Sequence, residues 1–217
     1  MLRAENISKS FGKLQVLSDV SLEVADAEIV AITGPSGAGK TTLLQILGTL
    51  ERPDTGKVVY GDTDVARLSD RALSRFRNGN IGFVFQNHQL LPEFTLLENV
   101  MMPAMIASSP YRQARERARL LLEEVGLAER LDHKPSQMSG GECQRGAVAR
   151  ALMNSPAMVL ADEPTGNLDS ANSDELRDLF LRIRQNHNTT FVIVTHDNDL
   201  ASRCDRIVRL TDGRITS

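Results

Sequence analysis

Along the chain, short apolar runs alternate with stretches whose apolar residues recur every three or four positions. The runs 29–33, 81–85, 158–161, 191–195 and 207–210 are rich in Val, Ile and Phe and are flanked by polar residues. Such runs predict strands buried on both faces, as in a largely parallel sheet. Near the start, Val20, Leu22 and Val24 alternate with polar residues, and Val58, Val59 and Tyr60 lead into Gly61. That pattern predicts a smaller antiparallel piece with one wet face. Elsewhere the period is helical. Leu176, Leu179, Phe180 and Ile183 follow the i, i+3, i+4, i+7 rule. Ala114, Ala118, Leu121, Leu122 and Val125 form a second stripe, closed by Gly126 as a C-cap. Both stripes predict faces packed on a core. Residues 88–154 carry almost no strand pattern and interrupt the strand–helix alternation, so they predict a helical lobe inserted into an α/β core.

The 217 residues suit one large α/β domain with a small appended lobe. Lys and Arg number 25 against 28 Asp and Glu, a formal charge of −3. That balance gives no footprint for nucleic acid and no means of holding the chain on anionic lipid by charge alone. The opening MLRAENISKSFG holds neither the apolar core nor the cleavage site of a secretion signal. No stretch approaches the ~18–20 consecutive apolar residues of a spanning helix, so direct membrane insertion is not expected and any membrane role comes through a partner. Cys143 and Cys204 lie far apart and match no metal spacing; they read as free thiols in a reducing cytoplasm.

The chemistry begins at Gly34-Pro35-Ser36-Gly37-Ala38-Gly39-Lys40-Thr41, followed by Thr42. This fits the phosphate-loop pattern G-x-x-x-x-G-K-[ST], and it stands between a predicted strand and the apolar run Leu43, Leu44, Ile46, Leu47. The glycines let backbone N–H groups turn inward around phosphate oxygens, and the helix N-terminus adds roughly half a positive charge. Lys40 is placed to reach the β- and γ-phosphates, and the Thr41 hydroxyl to bind Mg²⁺. A second cue is the apolar run 158–161 ending in Asp162 and Glu163. Acids at the C-terminal end of a parallel strand lie where open α/β sheets bind ligands. Asp162 fits a Mg²⁺ partner, and Glu163 the general base for an attacking water.

A phosphate loop alone spans kinases, GTPases and many motors. Met138-Ser139-Gly140-Gly141-Glu142-Cys143-Gln144-Arg145 narrows the choice, because it resembles the L-S-G-G-Q signature of ABC ATPases. Other family positions follow in the family's order: Gln86 for the Q-loop, Asn167-Leu168-Asp169 for the D-loop and Thr195-His196-Asp197 for the switch histidine. Phe11 and Val16 stand where the family places adenine contacts. The resemblance covers essentially the whole chain. It implies a P-loop NTPase fold: a RecA-like core with a small antiparallel β subdomain (1–87 and 155–217) and an inserted helical subdomain (88–154) carrying the signature. It implies ATP and Mg²⁺ as ligands, with Gln86 reaching the metal and His196 the γ-phosphate. Ser139, Gly140, Gly141, Glu142 and Asp169 would meet the ATP of a second subunit, so two chains form a head-to-tail homodimer around two nucleotides. Ser139 and Glu142 also have capping-box spacing before a helical run ending near Leu152. Among the departures, Met138 replaces the usual leucine. Cys143 sits near a helix N-terminus, where a thiol pKa can fall; an inert small residue is the favoured reading, and Cys204 reads as core.

The stretch 86–103 contains L-L-P-E-F-T-x-x-E-N-V-x-x-P and resembles the bacterial lipoprotein-releasing ATPases of the LolD type. Macrolide-exporter ATPase domains and the cell-division ATPase FtsE lie close by. In this group, that stretch docks onto a cytoplasmic helix of the membrane subunit. The apolar content of Leu90, Leu91, Phe94, Leu96 and Leu97 fits such a partner groove. The resemblance thus implies an ATPase on the cytoplasmic face of the bacterial inner membrane, powering integral permease subunits that release an amphipathic substrate such as a lipoprotein. An FtsE-like signalling ATPase and a macrolide or peptide exporter remain open alternatives, since all need the same dimer.

Overall fold

The structure, a computed structural model, describes residues 1–216. The chain opens with β1 (Leu2–Phe11) and returns as β2 (Leu14–Val24). Strand β3 (Ile29–Thr33) runs into the Gly-rich loop and helix α1 (Lys40–Leu47). Next come β4 (Thr55–Tyr60), β5 (Thr63–Asp64), α2 (Asp70–Asn80) and β6 (Ile81–Val84). Three helices follow in succession: α3 (Leu96–Ile106), α4 (Tyr111–Glu124) and α5 (Gly140–Ala151). The alternation then resumes with β7 (Met158–Asp162), α6 (Ser170–His187), β8 (Thr190–Val194), α7 (Asn198–Ser202), β9 (Arg206–Thr211) and β10 (Arg214–Ile215).

Two sheets result. One has the order β10-β9-β3-β8-β7-β6, with every pair parallel except β10 on β9. The other is antiparallel, β2-β1-β4-β5. They are tied where the Ser18 N–H donates to the Gly213 carbonyl at 2.9 Å. Successive residues of the parallel strands face two different cores, as the period of two requires. Ile29, Val159, Ala161, Phe191 and Ile193 pack with Val100 of α3, Leu122 of α4, Val148 of α5 and Phe180 of α6. Their neighbours Val30, Ile32, Leu160, Val192 and Val194 pack with Leu43 and Leu47 of α1 and with Leu2, Ile7, Leu17 and Val20 of the antiparallel sheet. Burial on both faces is why these strands read as continuous apolar runs.

The five strand runs appear with ends moved by one residue at most. Both helical stripes are buried, and Gly126 lies one position past the cap of α4 with φ 75°, its N–H on the Glu123 carbonyl at 3.0 Å. One expectation needs correction. Leu90, Leu96 and Leu97 do not line an outward groove; they are core, packed with α4 and α5. Only Leu91 and Phe94 project, 38% and 41% exposed. The buried Asn99 side chain holds that turn: its Oδ1 accepts from the Leu91 N–H at 2.7 Å, and its Nδ2 donates to the Leu91 and Thr95 carbonyls at 3.1 and 2.9 Å.

Candidate nucleotide site

At the end of β3 the backbone turns through Gly34 (φ 148°), Pro35, Ser36, Gly37 (φ 79°), Ala38 and Gly39 (φ 98°) before α1 starts at Lys40. Gly34 has no room for a side chain, since a Cβ there would lie 1.9 Å from the Leu210 carbonyl oxygen. Helix α1 begins with no side-chain cap and no acid in its first turn. Its first N–H groups are left for an outside acceptor, which suits an anion. Lys40 Nζ folds over the loop and donates to the Gly34 and Pro35 carbonyls at 2.8 and 3.0 Å. A cleft of about 370 Å³ lies here, walled by Val16, Ser36, Lys40, Thr42, Glu163 and Val194, with Thr41 beside them. Phe11 is not in that wall; it stands 49% exposed at the end of β1, with Lys9 Nζ 5.2 Å from its ring centroid.

Strand β7 delivers the two acids. The Thr41 hydroxyl donates to Asp162 Oδ1 at 3.2 Å. Burial pushes the Asp162 carboxyl up, and Glu163 adds to that against the opposing pull of Thr41 and Lys40. A hydroxyl and one carboxylate side by side are hard oxygen donors, the set Mg²⁺ takes when substrate phosphates and water complete its shell. Glu163 sits in the left-handed region (φ 46°) with its N–H on the Val194 carbonyl at 2.8 Å. That turn aims its carboxylate across to the end of β8. There Oε2 lies 2.8 Å from His196 Nδ1 and accepts the His196 backbone N–H at 3.1 Å. The imidazole is 71% exposed. Gln86 lines a neighbouring cavity of about 240 Å³ together with Asp162 and donates to Asn167 Oδ1 at 3.4 Å.

The signature residues are not brought to this cleft within the chain: none of residues 139–142 walls it. They form the N-terminus of α5. Ser139 Oγ accepts from the Glu142 N–H at 3.2 Å while Glu142 Oε2 accepts from the Ser139 N–H at 2.8 Å, a complete capping box. Arg130 Nε donates to the other Glu142 oxygen at 2.8 Å, and this contact with the Ser139 N–H holds the carboxyl down at about 2. Gly141 packs against α6, where a Cβ would come within 2.0 Å of Asn172 Oδ1. Gly140 has ordinary room, with Leu168 3.9 Å from a Cβ position. Asp169 caps α6 by accepting from the Asn172 N–H at 2.8 Å, which lowers its pKa. Cys143 is buried, and burial together with Glu142 pushes its thiol up, opposite to the lowering a helix N-terminus could give. Cys204 is half-buried against the same core. Two residues that sequence reasoning passed over also shape the region: Arg130 and Arg177. Neither lies in a motif, and no sequence cue marks them.

A phosphate loop after a buried strand, an acid pair closing a second parallel strand and a capped Gly-Gly helix end define a P-loop ATPase of the ABC type. The chain belongs to the ABC transporter family, whose model matches residues 17–166. It is 58% identical over 215 residues to the lipoprotein-releasing system ATP-binding protein LolD of Bacteroides fragilis, covering 99% of this chain and 100% of that one. The protein of the same name from Geobacter metallireducens is 53% identical over 221 residues, covering 100% and 98%. Among solved structures, the dimeric bacterial ABC transporter cassette MJ0796 matches with a TM-score of 0.92 at 38% identity, over 100% of this chain and 97% of that one. Its dimeric post-hydrolysis state bound to ADP and Pi matches at 0.91, with 37% identity over the same shares. This chain is accordingly an ATP-hydrolysing transporter subunit.

Proposed function

We propose that two copies of this chain hydrolyse ATP between them and drive membrane-spanning partners that release lipoproteins from the cytoplasmic membrane. The observation that carries the reading is that the 58% identity to a lipoprotein-releasing ATP-binding protein runs over 99% of the chain, beyond the motifs common to all ABC ATPases. The phosphate loop and Lys40 would hold the phosphates, with Val16 and Phe11 towards the base. Mg²⁺, held by Thr41 and Asp162 with Gln86 nearby, would neutralise charge developing on the phosphoryl oxygens. Glu163 would take the proton of the attacking water, and His196 would contact the γ-phosphate from the other strand end. Ser139, Gly140, Gly141, Glu142 and Asp169 of one chain would face the nucleotide of its partner, a reading supported by the dimeric, ADP- and Pi-bound neighbour.

Among the described residues no helix is long and apolar enough to cross a membrane. The substrate must therefore be handled by the partner. Each CH₂ contributes ~0.8 kcal/mol, so exposing an acyl chain of roughly fifteen carbons costs on the order of 12 kcal/mol. The partner has to shelter such chains while this dimer opens and closes it at the cytoplasmic face. Leu91 and Phe94, the two exposed apolar side chains of the turn before α3, offer the partner a seat. Reconstitution tests this. The complex in proteoliposomes should pass a lipoprotein to a soluble acceptor only with hydrolysable ATP, and charged substitutions at Leu91 and Phe94 should abolish that coupling while ATP binding persists. Release without ATP, or a native partner that is a division scaffold, would remove the lipoprotein reading and leave the ATPase intact.

A further inference from the structure

Away from the cleft walls, an enclosed charged cluster joins three segments that are distant in sequence. Arg177, midway along α6, is 11% exposed. Its Nη1 donates to Asp174 Oδ1 at 2.7 Å and its Nη2 to Asp197 Oδ2 at 2.6 Å. Its Nε is buried with no acceptor among the described residues, so the charge rests on those two contacts. Asp174 is mostly exposed, whereas Asp197 is enclosed and acts as the hub. Asp197 Oδ2 also accepts the Thr165 hydroxyl at 3.1 Å, and Oδ1 accepts the N–H groups of Asp199 and Leu200 at 2.9 and 3.1 Å, capping α7. Burial alone would raise the Asp197 carboxyl; the hydrogen bonds from Arg177, the Leu200 N–H and Thr165 outweigh it and hold it low.

The hub's partners stand next to the proposed chemistry. Thr165 is two residues beyond Glu163, and Asp197 is one beyond His196. We propose that Arg177 is a positioning residue for hydrolysis. Through Asp197 it clamps the exit of β8 to the exit of β7, and so holds Glu163 and His196 at their 2.8 Å contact over the phosphate-loop cleft. The same arginine stands on α6, whose N-terminal cap is Asp169, the residue read as facing the second chain. A displacement of that helix would reach His196 through the Arg177–Asp197 pair, beside a second tie in which Arg203 at the end of α7 pairs with Asp178 of α6 at 2.6 Å. Arg177 touches neither the nucleotide loop nor the walls of the cleft, so its effect falls on the geometry of reaction and not on binding.

This inference rests on the reading of Glu163 as the base, and the test separates the two. Arg177→Met and Asp197→Asn are made in the full chain; Asn can keep the cap of α7 through its one oxygen, while its NH2 replaces the oxygen that accepts from Arg177 and Thr165. ATP turnover, KM for ATP and Tm are measured for both, for the double variant and for Glu163→Gln. The expected result is that each single variant loses about tenfold in kcat with KM within about twofold, and that the double variant is no slower than the singles, the mark of two residues acting as one unit. Arg177→Lys should restore only part of the loss, since a point charge cannot bridge Asp174 and Asp197 as a planar fork does. Independent losses that multiply, a raised KM at unchanged kcat, or a lowered Tm with wild-type turnover would each overturn the proposal. If Glu163→Gln turns over like the wild type, the base assignment fails with it; if Glu163→Gln is inactive while Arg177→Met is not, only the clamp fails. Should Arg177→Met not fold, Asp197→Asn decides.

Discussion

The chain has two glycine-rich helix starts, and they are finished in opposite ways. Helix α1 begins at Lys40 after Gly39 with no side-chain cap and no acid in its first turn. Helix α5 begins after Ser139 with a full capping box, and its first-turn acid, Glu142, is paired to Arg130. Helix starts carry unsatisfied N–H groups and a partial positive charge, and an anion or a capping side chain satisfies them equally well. The bare end is thus an anion site in its own right. The capped end has already met part of its need internally and holds a carboxylate besides. On its own it has little call for an anion, and under the proposed head-to-tail dimer its contribution would come once a second chain presents one. In the proposed dimer, the contrast would let two similar-looking Gly-rich sequences divide the work of one nucleotide site.

The largest effect should come from weakening the bare end. Lys40→Ala should raise the Kd of the isolated chain for ATP by about 10- to 150-fold, since hydrogen bonds to charged groups contribute ~1.5–3 kcal/mol. Titration calorimetry measures it, and an unchanged Kd would show that α1 is not the main anchor. Ser139→Ala should act on stability instead. Loss of an N-cap costs ~1 kcal/mol, about 2–4 °C in Tm for a chain of this size, with the ATP Kd of the isolated chain within about twofold. If the Kd moved as much as with Lys40→Ala, the two ends would not differ as argued. The smallest effect is expected from Glu142→Gln, which preserves the contact with the Ser139 N–H but loses the Arg130 ion pair. The folded pKa of Glu142, about 2, lies below its ordinary 4.5. Its contribution is therefore complete above about pH 4.5 and is lost as pH falls toward 2. The variant should show a shallower decline of Tm through that acid window, and parallel Tm profiles would mean that the pair adds nothing.

The parallel strands and the phosphate loop were legible because their cues are local: an unbroken apolar run, then glycines in a set order. Strand β1 was not anticipated. Its alternation is broken by register shifts between Ala4 and Ile7 and between Ile7 and Lys9, with Asn6 at φ 52°. Helix α2 left no stripe because none of its residues is fully buried; only its Ser69 cap, accepting from the Ala72 N–H, marks its start. The stretch 90–97 misled for the converse reason. Apolar content does not say which side of a turn faces water, and Asn99, a polar residue, decides it by bonding inward. For the candidate site, residue types were readable but their contacts were not. The clamp of Arg130 on Glu142 and the Arg177–Asp197 hub depend on pairings across 12 and 20 residues that no local pattern records.

The left-handed backbone at Glu163 sets heat tolerance against the chemistry proposed for that position. A residue with a Cβ gives up roughly 1–2 kcal/mol in that conformation, and Gly or Asn would occupy it more comfortably. Selection for thermal endurance alone would move this position to one of them and discard the carboxylate in the process. With Glu163 as the proposed base, a screen for hardier versions of this chain that scores survival but not turnover would enrich inert cassettes, while one that scores both would have to find its gains elsewhere in the molecule.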